Sequence, residues 1–211
     1  MKLSVSYLSV KKKDVADVIS MLDMTNTDFI HVDVMDGKYV PNKANLFNFV
    51  GNISKYTRKR LDIHFMVERP LKMIDDYASL NAYCMIFHID IKDNIDKVIE
   101  KTKNYGIKVG LALNPNQDIE LIKPFLDKID LVLIMSVKPG LGGQKFIPDT
   151  VPKVKELRKI IKEKTKKVLI SVDGGVNLDN KKDLKDADIL VSGSFITGSK
   201  DYVKLINDMR K

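Results

Sequence analysis

Four side chains that could bind a metal ion or carry a proton lie in or just after short apolar segments. His31 and Asp33 are two residues apart in one segment, His64 lies in a second, and Asp173 follows a third. Imidazole and carboxylate groups are common ligands of divalent metal ions in proteins. These residue types therefore predict a divalent-metal site, provided that the fold brings the three segments together.

Each of these residues also has a simpler explanation when it is taken alone. A single histidine on a strand is more often a satisfied core residue than a ligand, and an aspartate leaving a strand is usually a turn or helix-cap residue. The combination favours a shared site, because period-two alternation puts His31 and Asp33 on one face of a strand. Two of the three histidines belong to the set, and for the third, His88, we expect a structural or supporting role.

The elements that must position these groups alternate along the chain. The apolar runs that predict buried parallel strands are residues 3–7, 29–34, 61–66, 83–88, 108–113, 131–135, 168–172 and 189–191. The amphipathic segments that predict helices are residues 14–22, 45–55, 70–77, 94–105, 118–128, 150–164, 180–185 and 200–209.

Eight strand–helix units predict an α/β protein in which residues 1–211 form one domain, a single (β/α)₈ TIM barrel with a parallel eight-stranded core. A doubly wound open sheet is the alternative, because the sequence does not show closure. In a barrel, catalytic groups lie at the C-terminal ends of the strands, where the four polar residues fall.

Glycine-containing turns follow the last three predicted strands. They contain Gly142-Gly143, Gly174-Gly175 and Gly193-Ser194. Glycine lets backbone N–H groups approach an anion closely, and a helix N-terminus adds its dipole. Because barrels frequently bind phosphate with the loops after strands seven and eight, this placement predicts a phosphorylated substrate.

Composition narrows the choice of partner and compartment. The net charge is +8, but lysines such as Lys153 and Lys155 are interleaved with Glu156 on a predicted helix and no arginine–aromatic cluster accompanies them. We therefore expect a solvated helix surface and no nucleic-acid partner. No apolar stretch has the length that a membrane span requires. The single cysteine, Cys84, and a start without a signal peptide predict a cytoplasmic protein.

Five ordered motifs make the chain resemble the ribulose-phosphate 3-epimerase family, (β/α)₈ barrels of the pentose phosphate pathway, over essentially its whole length. The motifs are residues 31–42, 62–67, 135–146, 172–176 and 192–196. The resemblance implies an isomerase that interconverts D-ribulose 5-phosphate and D-xylulose 5-phosphate through a 2,3-enediolate. It also implies a homo-oligomer.

The resemblance implies a role for each site residue. The metal ligands would be His31, Asp33, His64 and Asp173, holding one zinc, iron, manganese or cobalt ion per subunit. Asp33 and Asp173 would be the catalytic base and acid, exchanging roles in the reverse direction. The substrate would contact Ser6, His64, Gly140, Leu141, Gly142, Gly143, Asp173, Gly174, Gly175, Gly193 and Ser194, and Met35, Met66 and Met135 would line the reacting carbons. Asp36 would be a supporting loop residue.

The sequence departs from the family pattern in several loops. Residues 43–47 replace the usual Thr/Ser and Gly-Pro after Asn42, and Ile89-Asp90 replaces Pro-Glu after His88. None of these changes touches a proposed ligand, so they leave the reaction type unchanged and the sugar open. The alternative substrate is a hexulose 6-phosphate such as D-allulose 6-phosphate.

Two other classes of function fit the sequence less well. The segment from Asp90 to Asp96 is similar to the Asp-x-Lys-x-x-Asp array of orotidine-phosphate decarboxylase relatives. Its last aspartate comes one place too late, because position 95 is Ile95, and the segment follows strand four rather than strand three. We interpret it as a loop and helix start, which disfavours a metal-free barrel lyase or decarboxylase. A nucleic-acid binder has only the positive charge in its favour.

Overall fold

Eight parallel strands close into a barrel in the computed structural model of the chain, which describes residues 1–164 and 167–211. The barrel strands are β1 (Lys2–Ser6), β2 (Phe29–Asp36), β4 (Arg60–Met66), β5 (Ala82–His88), β6 (Lys108–Leu113), β7 (Leu131–Met135), β8 (Leu169–Asp173) and β9 (Ile189–Ser192), and β3 (Lys43–Ala44) pairs antiparallel with the end of β2. Pairing of β1 with both β9 and β2 closes the sheet. The predicted TIM barrel is confirmed, and the open sheet is wrong.

The observed ends of β2 and β8 show where the two catalytic candidates, Asp33 and Asp173, lie in their strands. β2 runs to Asp36 rather than ending at residue 34, so Asp33 lies inside the strand and not at its exit. Asp173 is the last residue of β8. Both carboxylates are therefore carried by regular strand backbone near the C-terminal end of the barrel.

The helices cover the outside of the barrel less regularly than the sequence predicts. The α-helices are α1 (Val15–Asp23), α2 (Phe47–Ile53), α3 (Ile74–Ala78), α4 (Ile95–Asn104), α5 (Thr150–Lys162), α6 (Ser194–Thr197) and α7 (Tyr202–Arg210). Two predicted helices are wrong. Residues 118–128 form two 3₁₀ turns, Ile119–Leu121 and Lys123–Phe125, because Pro124 has no N–H to continue an α-helix. Residues 180–185 form the single 3₁₀ turn Lys181–Asp183, because Asp183 N and Leu184 N donate to the carbonyl groups three residues back, at Asn180 and Lys181.

Other helix boundaries shift for local reasons. The helix predicted from residue 45 begins at Phe47, because Asn45 has a φ of 49°, which is incompatible with a right-handed helix. Pro70–Lys72 is a 3₁₀ turn ahead of α3. The side chain of Asn94 accepts a hydrogen bond from the backbone N–H of Lys97, so the decarboxylase-like segment is a loop and helix start, as predicted.

The strands bury both of their faces. On β2, Ile30, Val32 and Val34 are fully buried in the large apolar cluster that the strands share with the helices. The opposite faces of the strands form a second apolar cluster that includes Phe29 and Leu131. His31 and Asp33 share the face of Phe29, so they lie in the barrel interior. None of the helices in the described part of the chain combines the length and the apolar character that crossing a bilayer takes.

Candidate active site

Strand register brings the predicted ligands side by side. Asp33 of β2 is paired with His64 of β4, and His31 is paired with Ser6 of β1 on one side and Asp62 of β4 on the other. Asp173 reaches the same place from the end of β8. One ligand atom from each of His31, Asp33, His64 and Asp173 lies within 4.8 Å of the others. The structure thus brings together all four residues that the sequence predicts as a metal site.

Two imidazole nitrogens face two carboxylate oxygens inside this cluster. His31 Nε2 lies 3.4 Å from Asp33 Oδ1 and 3.7 Å from Asp173 Oδ2, and His64 Nδ1 lies 3.3 Å and 3.8 Å from the same two oxygens. Both histidines are fully buried, and His31 Nε2 makes no hydrogen bond to any described residue. A buried imidazole nitrogen that faces two carboxylate oxygens fits a divalent cation between them, because burial without a partner is costly.

Asp62 is a candidate supporting residue that is absent from the site predicted from the sequence. Its Oδ2 lies 2.9 Å from His31 Nδ1, and both side chains are fully buried. A carboxylate that accepts from one ring nitrogen fixes the proton there and leaves the lone pair of Nε2 for a metal ion. The signal was present in the sequence, since Asp62 lies two residues before His64 and therefore on the same face of β4.

His88 occupies the corresponding position beside the other histidine, His64. His88 Nε2 lies 2.9 Å from His64 Nε2, and both rings are fully buried. The ring of Tyr39 packs against His88 with centroids 4.7 Å apart. Tyr39 donates its phenolic hydrogen to Asp90 Oδ1 at 2.7 Å, so the loops after β2 and β5 are tied together over His88.

The two catalytic candidates differ in their acidity. Burial disfavours the charged form of both carboxyl groups. At Asp33 the opposing effect of His31 and His64 is larger, and it holds the pKa of that carboxyl well below its usual range. At Asp173 burial dominates and, with the charge of Asp33, raises the pKa to about 6. Burial likewise opposes charge on His31, yet Asp33 and Asp62 raise the pKa of His31 well above its usual value. Burial and the proximity of His64 lower the pKa of His88, so that ring is neutral.

A pocket at the C-terminal end of the barrel exposes both carboxylates to the glycine-rich loops. The predicted substrate contacts that line it together with Asp33 are Ser6, Gly140, Leu141, Gly142, Gly143, Asp173, Gly174, Gly175, Gly193 and Ser194. His64, the remaining predicted contact, is fully buried and is not part of this lining. Met66 and Met135 line the pocket, whereas Met35 is fully buried in a cluster with Val40 and Met66.

Glycine is required where the two loops at the end of this pocket meet. Gly175 has a φ of 64°, and a Cβ there would lie 2.5 Å from the backbone nitrogen of Phe146. A Cβ at Gly142 would lie 2.2 Å from Ser9 Oγ. At Gly175 the loops after β7 and β8 therefore pack backbone against backbone, whereas Gly142 meets a side chain from the loop after β1.

Asp36 organises the mouth of the barrel and supports the loop role predicted for it. Its Oδ1 accepts hydrogen bonds from the backbone N–H groups of Lys38 at 2.8 Å and Tyr39 at 2.9 Å, and its Oδ2 accepts from Glu68 N at 3.0 Å. These hydrogen bonds, against the effect of partial burial, lower the pKa of Asp36. The loops that follow β2 and β4 are thereby held together.

A (β/α)₈ barrel with buried His and Asp side chains converging at the C-terminal ends of its strands defines a barrel enzyme with a candidate metal centre. The model of the ribulose-phosphate 3 epimerase family matches residues 2–197. The chain therefore belongs to the ribulose-phosphate 3-epimerase family and is an epimerase.

Named relatives agree with this assignment, and a solved structure agrees with the fold. The chain is 37% identical over 212 residues to a ribulose-phosphate 3-epimerase of Bacillus subtilis, with 99% of this chain and 98% of the relative covered. It is 39% identical over 203 residues to the Helicobacter pylori J99 enzyme of the same name, covering 95% and 93%. The structure of KGPDC from Streptococcus mutans superposes with a TM-score of 0.73 at 15% identity, covering 99% and 95%, which bears on the fold alone.

Proposed function

We propose that the protein is a metal-dependent 3-epimerase that interconverts D-ribulose 5-phosphate and D-xylulose 5-phosphate by two-base proton transfer. The observation that carries the proposal is the placement of Asp33 Oδ1 and Asp173 Oδ2 at 3.3 to 3.8 Å from the same two imidazole nitrogens, at the base of a glycine-lined pocket. The names of the relatives support the choice of substrate.

Inversion at C3 of a 2-ketose requires one group to remove the acidic C–H beside the carbonyl and another to return a proton to the opposite face. Asp33 comes from β2 and Asp173 from β8, and β1 and β9 lie between these strands. With its lowered pKa, Asp33 is ionised at neutral pH and can accept the proton. Asp173, whose pKa burial raises to about 6, holds a proton more readily than Asp33 and is assigned as the donor. The roles exchange in the reverse direction.

The residues that would hold the metal ion are His31 through Nε2, His64 through Nδ1, and the two carboxylates through Asp33 Oδ1 and Asp173 Oδ2. Zinc, iron, manganese and cobalt all remain candidates for this donor set. Such an ion, when bound, acts as a Lewis acid that stabilises the negative charge developing on the enediolate oxygens. Ser6 donates a hydrogen bond of 2.8 Å from Oγ to Asp33 Oδ2 and so orients Asp33 Oδ1 toward the histidines.

The rest of the pocket suits a phosphorylated, proton-sensitive intermediate. Met66 and Met135 offer an aprotic surface beside the carboxylates, which keeps water from protonating the enediolate. The phosphate group would lie against main-chain N–H groups of the loops that contain Gly142, Gly175 and Gly193. Leu141, with 64% of its surface exposed, would cover the substrate from the loop after β7.

The test is turnover of D-ribulose 5-phosphate with the metal content measured on the same sample. We expect turnover that is lost on chelation and restored by one divalent ion per subunit. Turnover that survives complete metal removal would exclude the metal-dependent mechanism. D-allulose 6-phosphate is assayed in parallel, and a higher kcat/KM for it would replace the pentulose with the hexulose.

The proposal includes a cytoplasmic location and a homo-oligomeric state. The single cysteine, Cys84, is buried and free, which suits a reducing compartment. Cell fractionation would test the location, and sedimentation velocity of the purified chain would test the oligomeric state.

A further inference from the structure

We propose that His88 is a positioning residue that supports either tautomer of His64, by donating to or accepting from His64 Nε2, and that the direction of this hydrogen bond reverses when a metal ion binds. The proposal rests on the metal site proposed above and deepens it, because it assigns a proton to a stated atom in each state. It concerns the buried pair on β4 and β5, His64 and His88, rather than the ligands alone.

The geometry of the pair allows only one shared proton. His64 Nε2 and His88 Nε2 lie 2.9 Å apart, and both rings are fully buried. At this distance one nitrogen donates and the other accepts, because two lone pairs or two N–H groups would repel each other. The other nitrogen of His64, Nδ1, faces Asp33 Oδ1 at 3.3 Å and Asp173 Oδ2 at 3.8 Å.

The state of His64 Nδ1 decides which ring donates. Without a cation, a lone pair on Nδ1 would face the carboxylate of Asp33, so Nδ1 carries the proton and His88 Nε2–H donates to His64 Nε2. With a metal ion on Nδ1, that nitrogen must be deprotonated. His64 then carries its proton on Nε2 and donates to His88 Nε2.

The change conserves protons and charge. The shared proton passes from His88 Nε2 to His64 Nε2, His64 loses the proton on Nδ1, and His88 gains one on its own Nδ1. His88 Nδ1 has no hydrogen-bond partner among the described residues, so no external group holds His88 in either tautomer.

His31 differs from His64 because its proton does not change position. Its partner is the carboxylate oxygen Oδ2 of Asp62, 2.9 Å away, which accepts the hydrogen bond, so the proton stays on His31 Nδ1 in both states. The ring of Tyr39, whose centroid is 4.7 Å from that of His88, keeps the plane of His88 in place while its protons move. The site therefore has one fixed histidine and one whose tautomer responds to the metal.

The experiment is ¹⁵N NMR of the full-length protein with labelled histidines, recorded without metal and with zinc. We expect His88 to carry its proton on Nε2 without zinc and on Nδ1 with zinc, while His31 keeps a proton on Nδ1. An unchanged His88, with His31 and His64 signals that report zinc binding, would overturn this inference alone. Unchanged signals from His31 and His64 would overturn the metal site as well.

Zinc affinity, measured by competition with a chelator, gives a second readout. His88→Leu removes the acceptor and is expected to weaken zinc binding by about 10-fold to 100-fold. His88→Gln keeps a carbonyl acceptor and should recover part of that loss. Ser171→Ala is the matched control, because Ser171 is fully buried and its hydroxyl has no partner among the described residues. Equal zinc affinity in His88→Leu and the unaltered protein would contradict the proposal.

Discussion

Asp33 and Asp173 face the same two imidazole nitrogens although they come from strands that are not neighbours in the barrel. Asp33 Oδ1 lies 3.4 Å from His31 Nε2 and 3.3 Å from His64 Nδ1, and Asp173 Oδ2 lies 3.7 Å and 3.8 Å from the same atoms. This shared contact makes each carboxylate both a candidate ligand and a candidate proton carrier. The predictions below separate these roles and test the groups that support them.

Removing either carboxylate should stop epimerisation but leave C3–H exchange from one of the two epimers. Asp33→Asn and Asp173→Asn are each expected to lower turnover by at least about 100-fold, the usual contribution of a general acid or base. In deuterated water, each variant should lose C3–H exchange from a different epimer, because each face of the carbon has its own base. Circular dichroism checks the fold. Loss of exchange from the same epimer in both variants would contradict the two-base assignment.

Asp62→Asn should weaken the metal site through His31. The variant keeps the size of the side chain but removes the charge that holds a proton on His31 Nδ1 at 2.9 Å. We expect metal affinity to fall by about 10-fold to 100-fold, with kcat at saturating metal less affected. Chelator competition measures the affinity, and Ser171→Ala again serves as the control. A fall in kcat with unchanged metal affinity would assign Asp62 a different role.

Ser6→Ala should affect the chemical step more than substrate binding. The hydroxyl donates to Asp33 Oδ2 at 2.8 Å in the barrel interior. A hydrogen bond to a charged group contributes about 1.5–3 kcal/mol, so loss of this contact corresponds to roughly a 10-fold to 100-fold change in rate. Steady-state kinetics should place the loss in kcat. A loss confined to KM would mean that Ser6 acts only as a substrate contact.

Gly175→Ala should damage the phosphate end of the pocket. The new Cβ would lie 2.5 Å from the nitrogen of Phe146, and the φ of 64° is strained for alanine. We expect KM for the sugar phosphate to rise and the melting temperature to fall. Gly51→Ala is the matched control, because Gly51 lies in α2 and the added methyl group would have no atom of the described residues within 4 Å apart from its chain neighbours and the backbone of its own helix. Equal kinetic behaviour of the two variants would exclude a special role for the loop after β8.

Asp36→Asn should destabilise the fold in a pH-dependent way. The pKa of Asp36 is lower in the folded state, because three backbone N–H groups outweigh partial burial. Its contribution is therefore fully present above the unfolded value near 3.9 and is lost as the pH falls through the lower folded value. We expect a loss of about 1 kcal/mol at pH 7 that shrinks below about pH 4, measured by thermal unfolding. The exposed Asp17→Asn on α1 is the control, and a pH-independent difference would contradict this account.

Most of the barrel could be predicted because its strands are nearly continuous apolar runs. The helices were less predictable, because the spacing of apolar and polar residues does not reveal a backbone constraint at a single residue. Pro124 divides one expected helix into two 3₁₀ turns, and the left-handed Asn45 delays the start of another. Both effects act through the backbone, which the periodicity of side chains does not report.

The sequence by itself determined the candidate ligand set, because His31, Asp33, His64 and Asp173 are polar residues at strand positions that converge once the barrel closes. Only the tertiary structure decided which nitrogen of each histidine faces the carboxylates. That choice depends on the pairs His31–Asp62 and His64–His88, whose members are 31 and 24 residues apart. Such pairs are set by the register between strands, and the bond that one ring nitrogen makes leaves the other nitrogen for the metal.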